Sequence, residues 1–276
     1  MYMHGATRIG GREFRWGERT YVMGILNLTP DSFSADGLGG RPEEAVGRAL
    51  EMEAQGADII DLGGESTRPQ ASQVDAAEEL GRVLPVLERL VGRLKVPISI
   101  DTFKATVARR CLEAGAHMIN DVWGLKRDPW LVRVVAEKSV PVVVVSNQRD
   151  VPAKGDIVAE VRADLERGME LALKAGVSRE NIILDPGIGF GKTVEQNLAL
   201  VGRLQELKAL GRPLLLGTSR KSFIGAVLDL PPEQRLEGTA ATVAIGIARG
   251  ADIVRVHDVG PMVRLCRMSD ALVRAK

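Results

Sequence analysis

Short apolar runs, many of them β-branched, alternate along this chain with longer stretches whose apolar residues recur at helical spacing. The strand-like runs cover 21–28, 57–63, 96–101, 117–121, 140–147, 181–186, 213–219 and 251–257. Helices are predicted near 42–55, 75–93, 103–114, 129–138, 156–175, 193–210, 235–249 and 260–274. Pro42 and Pro129 suit a first helical turn, and Asp128 is a natural N-cap before Pro129.

A local refrain marks where helices end. The chain reads EAQGAD before IID, EAGAH before MIN, KAGVSRE before NIIL and ARGAD before IVRV. Glycine at that place suits a left-handed residue closing a helix just ahead of a strand. Such repetition predicts one repeated unit, with strand and helix taking turns eight times. The expected fold is α/β, a single closed (β/α)8 TIM barrel, with an open doubly wound sheet as the alternative. No Pro/Gly/Ser-rich linker divides the sequence, so residues 21–276 read as one barrel domain. Residues 1–20 read as a β-hairpin-like extension under its floor.

Composition narrows the picture. The length of 276 residues suits a barrel, since barrels of roughly 250 residues fold as one unit. A formal charge of +1 gives no general pull towards nucleic acid or anionic membranes, so any anion site must be local. Cys111 and Cys266 have no metal-ligand spacing and sit in apolar, helix-like runs, which predicts buried free thiols in a reducing compartment. The first residues lack an apolar signal core and no uninterrupted apolar run is long enough to span a bilayer, so a cytoplasmic location is expected.

Nearly every predicted strand ends on polar groups: Asn27, Asp61, Asp101, Asn120 with Asp121, Asn147, Asp185, Thr218 with Ser219, and Arg255 with His257. A single polar strand end is more often a helix cap or a turn, and that is the reading for Asp61 and Asp121. Eight at equivalent positions point to a shared pocket, because the strand ends of a barrel converge on the face where barrel enzymes place their chemistry.

Three glycine-rich loops and two basic clusters add detail. The loops 26–40 and 61–70 are long and polar, and Thr29, Asp31, Ser32 and Asp36 have oxygens suited to metal or phosphate, while Phe33 offers a flat face. DPGIGFGKT (185–193) lacks the spacing of a nucleotide phosphate loop and is better used to set Asp185 beside backbone that approaches a flat ligand closely. Arg220 and Lys221 follow the seventh strand. Arg255 and His257 share one face of the eighth, where barrels commonly hold phosphate.

GILNLTPDSFSADG (24–37), DLGGESTRP (61–69), SIDT (99–102), INDV (119–122), DPGIGFGKT (185–193), GTSRKSFIG (217–225), EGTAAT (237–242) and RVHDV (255–259) together resemble the bacterial dihydropteroate synthases. The resemblance implies condensation of a dihydropterin pyrophosphate with 4-aminobenzoate. It implies Mg²⁺ on the pyrophosphate with Asn27 as its ligand, and an anion site of Asn27, Thr67, Arg255 and His257. Asp101, Asn120, Asp185, Phe190 and Lys221 would line the pterin pocket, and Phe33, Thr67, Arg68, Pro69, Phe190, Lys221 and Ser222 would surround the aminobenzoate. Asp101, Lys221 and Arg255 would be the catalytic residues, and the assembly a homodimer.

Two places depart from the family pattern. Val145, Ser146 and Asn147 stand where members read Met-His-Met, and the acid of the first loop is shifted to Asp36. Competing readings are a folate-dependent methyltransferase of the same barrel family, a non-catalytic pterin-binding paralogue and a phosphosugar barrel. The first has no use for Lys221 or a pyrophosphate clamp, the second would have lost Asn27, Arg255 or His257, and the third leaves Asp101, Asp185 and Lys221 unexplained.

Overall fold

A computed structural model describes residues 5–29, 41–66 and 73–274. Eight parallel strands form the centre: β3 (Tyr21–Asn27), β4 (Ile59–Gly63), β5 (Ile98–Asp101), β6 (Met118–Asp121), β7 (Val142–Val145), β8 (Ile182–Asp185), β9 (Leu215–Leu216) and β10 (Ile253–Val256). Their order in the sheet is β8-β7-β6-β5-β4-β3-β10-β9, and a parallel bridge between Leu184 and Leu214 joins the two ends. The sheet is therefore the nearly closed barrel that the alternation predicts. Eight of the helices match predicted positions: α1 (Pro42–Ala54), α2 (Ala76–Leu90), α3 (Ala105–Glu113), α4 (Leu131–Lys138), α5 (Ile157–Lys174), α6 (Val194–Gly202), α8 (Leu236–Ala248) and α9 (Val259–Val273). The four refrain glycines, Gly56, Gly115, Gly176 and Gly250, all have φ between +93° and +107°, the left-handed form that a side chain would strain.

The structure departs from the pattern in three places. The stretch 193–210 is split: α6 stops at Gly202 and a 3-10 turn takes over from Leu204 to Leu210. A short helix, α7 (Ser222–Leu228), follows β9. Asp128 is not the N-cap of α4, whose N-cap is Trp130. Its carboxylate instead accepts from the backbone N–H of Trp130 and, across the gap, from that of Ala105 at the start of α3.

Two apolar layers hold the barrel. Between strands and helices lies the larger core, built from residues such as Leu26, Ile60, Leu87, Ile100, Leu165 and Val254. Inside the barrel a second cluster joins Tyr21, Met23, Ile59, Met118, Val143, Ile183, Leu215 and Ile253 to Ile9, Phe14 and Trp16 of the N-terminal extension. That extension is an antiparallel hairpin, β1 (Ala6–Ile9) and β2 (Arg12–Arg15), turned by Gly10 and Gly11 at positive φ. The Trp16 indole donates to Thr7, and Thr7 donates to the carbonyl of Glu180 ahead of β8. The hairpin thus plugs the end of the barrel where the strands begin and leaves the polar strand ends open at the other.

Candidate active site

At the open end, Arg255 is the hub. Its Nε donates to Asp61 Oδ2 at 2.6 Å and its Nη2 to Asp101 Oδ2 at 2.7 Å. Asp61 is fully buried on β4, and the same Oδ2 also accepts from Asn120 Nδ2 at 3.0 Å. The cap-or-turn reading of Asp61 is therefore corrected. Strand alternation points it into the barrel, where it fixes both an arginine and an amide. Asp121 does take the turn role, accepting from the N–H groups of Trp123 and Leu125. Two buried acceptors of this cluster, Asp61 Oδ1 and Asn120 Oδ1, have no hydrogen-bond partner among the described residues. Buried acceptors in that state are open to a donor from water or from a ligand.

Burial pushes the Asp101 carboxyl up to about 7, against the pull of Arg255 and with a further push from Asp61. A built Cβ on Gly63 would lie 3.8 Å from both Asn27 Oδ1 and Asp101 Oδ2. Glycine there leaves open the space these two oxygens share. Among the described residues Asn27 has no side-chain partner, and no group of three or more His, Cys, Asp or Glu residues could hold a metal. One unpartnered amide oxygen fits a hard cation that arrives on a phosphate ligand and keeps most of its positions for phosphate and water.

Across the barrel, Asp185 ends β8. Its Oδ1 accepts from the Gly187 N–H at 2.7 Å, and burial holds the carboxyl above its ordinary range. A Cβ on Gly217 would come within 3.9 Å of Arg255 Cβ and 4.0 Å of Asp185 Oδ2, so Asp185 and Arg255 are neighbours. Lys221, at the N-cap of α7, stands with its ammonium 4.2 Å from the centroid of the Phe190 ring. Crowding by protein atoms pushes this lysine down to about 8, while Asp185 opposes that shift. A second cation, Arg149, lies 4.8 Å from the same ring. Arg220, which precedes Lys221 in the chain, is taken by Asp258 in a two-pronged ion pair, which leaves Lys221 as the cation of this segment beside Phe190.

His257 follows β10. Its backbone N–H donates to Ser219 Oγ, and that hydroxyl lies 2.9 Å from His257 Nδ1. A hydroxyl accepting from the backbone can donate its own proton to Nδ1, an arrangement that goes with the ring proton on Nε2. Burial and the nearby Arg255 push the imidazole down to about 3, so it stays neutral at working pH.

The structure thus brings together Asn27, Asp101, Asn120, Asp185, Phe190, Lys221, Arg255 and His257. Ser222 is exposed at the first position of α7. Phe33, Thr67, Arg68 and Pro69 lie outside the described residues, as do Asp31, Ser32 and Asp36. Of the segment that departs from the family pattern, Val145 packs in the inner cluster, the Ser146 hydroxyl donates to Asp164 on α5, and Asn147 donates to the Val122 carbonyl. Sequence reasoning missed Asp61 and Arg149. Asp61 carried a signal, its place on the inward face of a strand.

The family described as pterin binding enzyme matches residues 23–257. A dihydropteroate synthase of Bacillus subtilis is 53% identical over 256 residues, 93% of this chain and 90% of that protein. A solved Clostridium difficile dihydropteroate synthase, determined in the presence of pteroic acid, is 52% identical with a TM-score of 0.90, covering 94% of this chain and 98% of that one. A Xanthomonas albilineans dihydropteroate synthase with 4-aminobenzoic acid is 42% identical with a TM-score of 0.92, covering 99% and 100%. This chain belongs to the family of pterin-binding enzymes, among the dihydropteroate synthases.

Proposed function

We propose that this chain condenses a hydroxymethyl-dihydropterin pyrophosphate with 4-aminobenzoate, giving dihydropteroate and pyrophosphate, as a step of folate biosynthesis. The observation that carries the reading is the pairing of two poles in one pocket. Asp185 offers Oδ2, which has no hydrogen-bond partner among the described residues, beside Lys221 and Phe190, and Arg255 is clamped between Asp61 and Asp101 a few ångströms away.

A pterin presents an amidine-like donor edge. Ionised Asp185 accepts from that edge, and Asn120 Oδ1 supplies a further acceptor. Phe190 and the Lys221 ammonium bound the ring at its side. Two arms of Arg255 are engaged by carboxylates, so Nη1 is the arm left for an anion, and the Nε2–H of His257 adds a neutral donor. Together they hold the departing pyrophosphate. Its departure leaves positive charge on the pterin methylene, and the Asp101 carboxylate is placed to stabilise that charge. The aromatic amine then attacks the methylene carbon, and the acidic ammonium so formed gives its proton to the released pyrophosphate or to water, so no strong general base is needed. Asn27 would hold Mg²⁺ carried on the pyrophosphate, and the ion would supply charge neutralisation of the leaving group.

The same reading takes the protein as a cytoplasmic homodimer. Two buried free thiols suit a reducing compartment. Ile245 on α8 and Met268, Leu272 and Val273 on α9 leave an exposed apolar surface that a second copy would cover. Among the described residues no helix is long and apolar enough to cross a membrane.

The test is direct. Purified protein given the dihydropterin pyrophosphate, labelled 4-aminobenzoate and Mg²⁺ should move the label into dihydropteroate and stop in excess chelator. No labelled product would overturn the reading, and full turnover in chelator would remove the metal role of Asn27.

A further inference from the structure

Lys192 lies in the segment after Asp185, and its ammonium donates to three backbone carbonyls: Ser146 at 2.9 Å, Gly187 at 3.0 Å and Phe190 at 3.3 Å. An ammonium has three donors, so this set leaves none for a substrate. The carbonyls come from two separate segments, the exit of β7 and the loop 186–191 that follows β8. We propose that Lys192 is a positioning residue for the pterin, an internal cation that sets Asp185 and Phe190 at the spacing a flat ring requires. The inference rests on the pterin reading of the pocket above.

Local geometry shows why such a cation is needed. Gly187, Gly189 and Gly191 have φ of +70°, +80° and +70°, which winds the loop so that its carbonyls turn inward. A Cβ on Gly187 would lie 1.9 Å from the Ser146 carbonyl oxygen, and one on Gly191 2.4 Å from backbone of Gln148. The loop is therefore pressed against the end of β7 with no room for side chains between them. Carbonyl oxygens converging on one point repel, and a positive charge at that point offsets the repulsion.

The residues that Lys192 touches are the ones that fix the pterin groups. Gly187 donates its N–H to Asp185 Oδ1, and the Ser146 N–H donates to the Asp185 carbonyl at 2.9 Å. The third carbonyl belongs to Phe190 itself, whose ring meets Lys221. On the far side, Asn197 of α6 accepts from the Gly189 N–H and donates to the Lys192 carbonyl, anchoring the loop to the helix rather than to the substrate. Removing the ammonium should let the loop relax outward and carry Asp185 Oδ1 and the Phe190 ring with it.

Calorimetry with 6-hydroxymethylpterin and steady-state kinetics test this on Lys192→Ala and Lys192→Gln. Losing a charged contact to three buried acceptors should raise the pterin Kd of Lys192→Ala about tenfold or more, with a distinctly smaller rise in the aminobenzoate KM through the displaced Phe190 ring. Ammonium or potassium ions should restore much of the affinity in Lys192→Ala, and tetramethylammonium, too large for the cage, should not. Lys192→Gln keeps two donors and should lose less. An unchanged pterin Kd, equal losses for both substrates, or no rescue by small cations would overturn the role. Failure of both variants to fold would overturn it too, because a residue required by the whole barrel does not act on the pterin alone. Wild-type protein that bound no pterin would instead refute the reading of the pocket.

Discussion

The two ends of one barrel are built from opposite materials. At the floor, Phe14 and Trp16 meet Tyr21, with ring centroids 4.8 and 5.5 Å from it, over Met23, Ile59 and Met118. At the mouth, the same strands end in Asp61, Asp101, Asn120 and Asp185, with Arg255 and Lys221 set among them. Apolar burial stabilises in proportion to area and tolerates approximate fit. Buried charges contribute only if each has its partner, and otherwise they cost. The comparison teaches a division of labour along each strand, in which the floor stabilises the fold and the mouth holds groups that a ligand must complete.

Arg255→Met should produce the largest effect, because it removes the partner of two buried carboxylates at once. We expect turnover to be abolished and stability to fall by about 3–5 kcal/mol, the usual cost of stranding a buried charge. Chemical denaturation and the labelled 4-aminobenzoate assay measure both. A variant that kept full stability would show that these buried carboxyl groups do not depend on Arg255. Phe14→Ala, at the floor, should cost a similar ~3–5 kcal/mol as a cavity beneath the barrel, yet leave kcat unchanged below the melting temperature. If kcat fell in parallel with stability, the two ends would be coupled and the division of labour would fail.

This division also explains what could be read from the chain. Burial is local and periodic, so the strands, most helices and the four helix-closing glycines are legible as runs and refrains. Polar strand ends are legible because they interrupt those runs. What sequence spacing could not carry is partnership at a distance. Asp61 looked like a cap or turn residue because its partner Arg255 stands 194 residues away. Lys192 and Arg149 act on backbone carbonyls and a ring that come close only when loops wind. The short α7 is one turn more than the 217–225 motif announces, and α6 stops early although the apolar spacing runs on to Leu210. Such endings are decided by packing against neighbouring helices, which no window of sequence contains.

Activity should have a narrow pH window, and the cause lies at the mouth alone. Burial raises Asp101 to about 7 and lowers Lys221 to about 8. Catalysis as proposed needs Asp101 ionised and Lys221 charged, so kcat/KM should fall on the acid side as pH drops through about 7 and on the alkaline side as it rises through about 8. Each limb should approach tenfold per pH unit beyond its pKa. The fold itself prefers the opposite state of Asp101. A carboxyl held above its ordinary value contributes stability below that ordinary value, and this contribution is lost as pH rises through about 7. Ionising Asp101 therefore costs stability in the same range where it enables turnover, whereas no group in the aromatic floor titrates there. Lys221→Arg sharpens the comparison, since a guanidinium stays charged throughout. It should remove the Lys221 share of the alkaline limb and keep the acid one, at a lower rate, while the fall due to Lys192, which burial pushes down to about 7, remains. A wild-type profile of kcat/KM that stayed flat from about pH 6 to about pH 9 would mean that neither group governs the reaction from within the mouth.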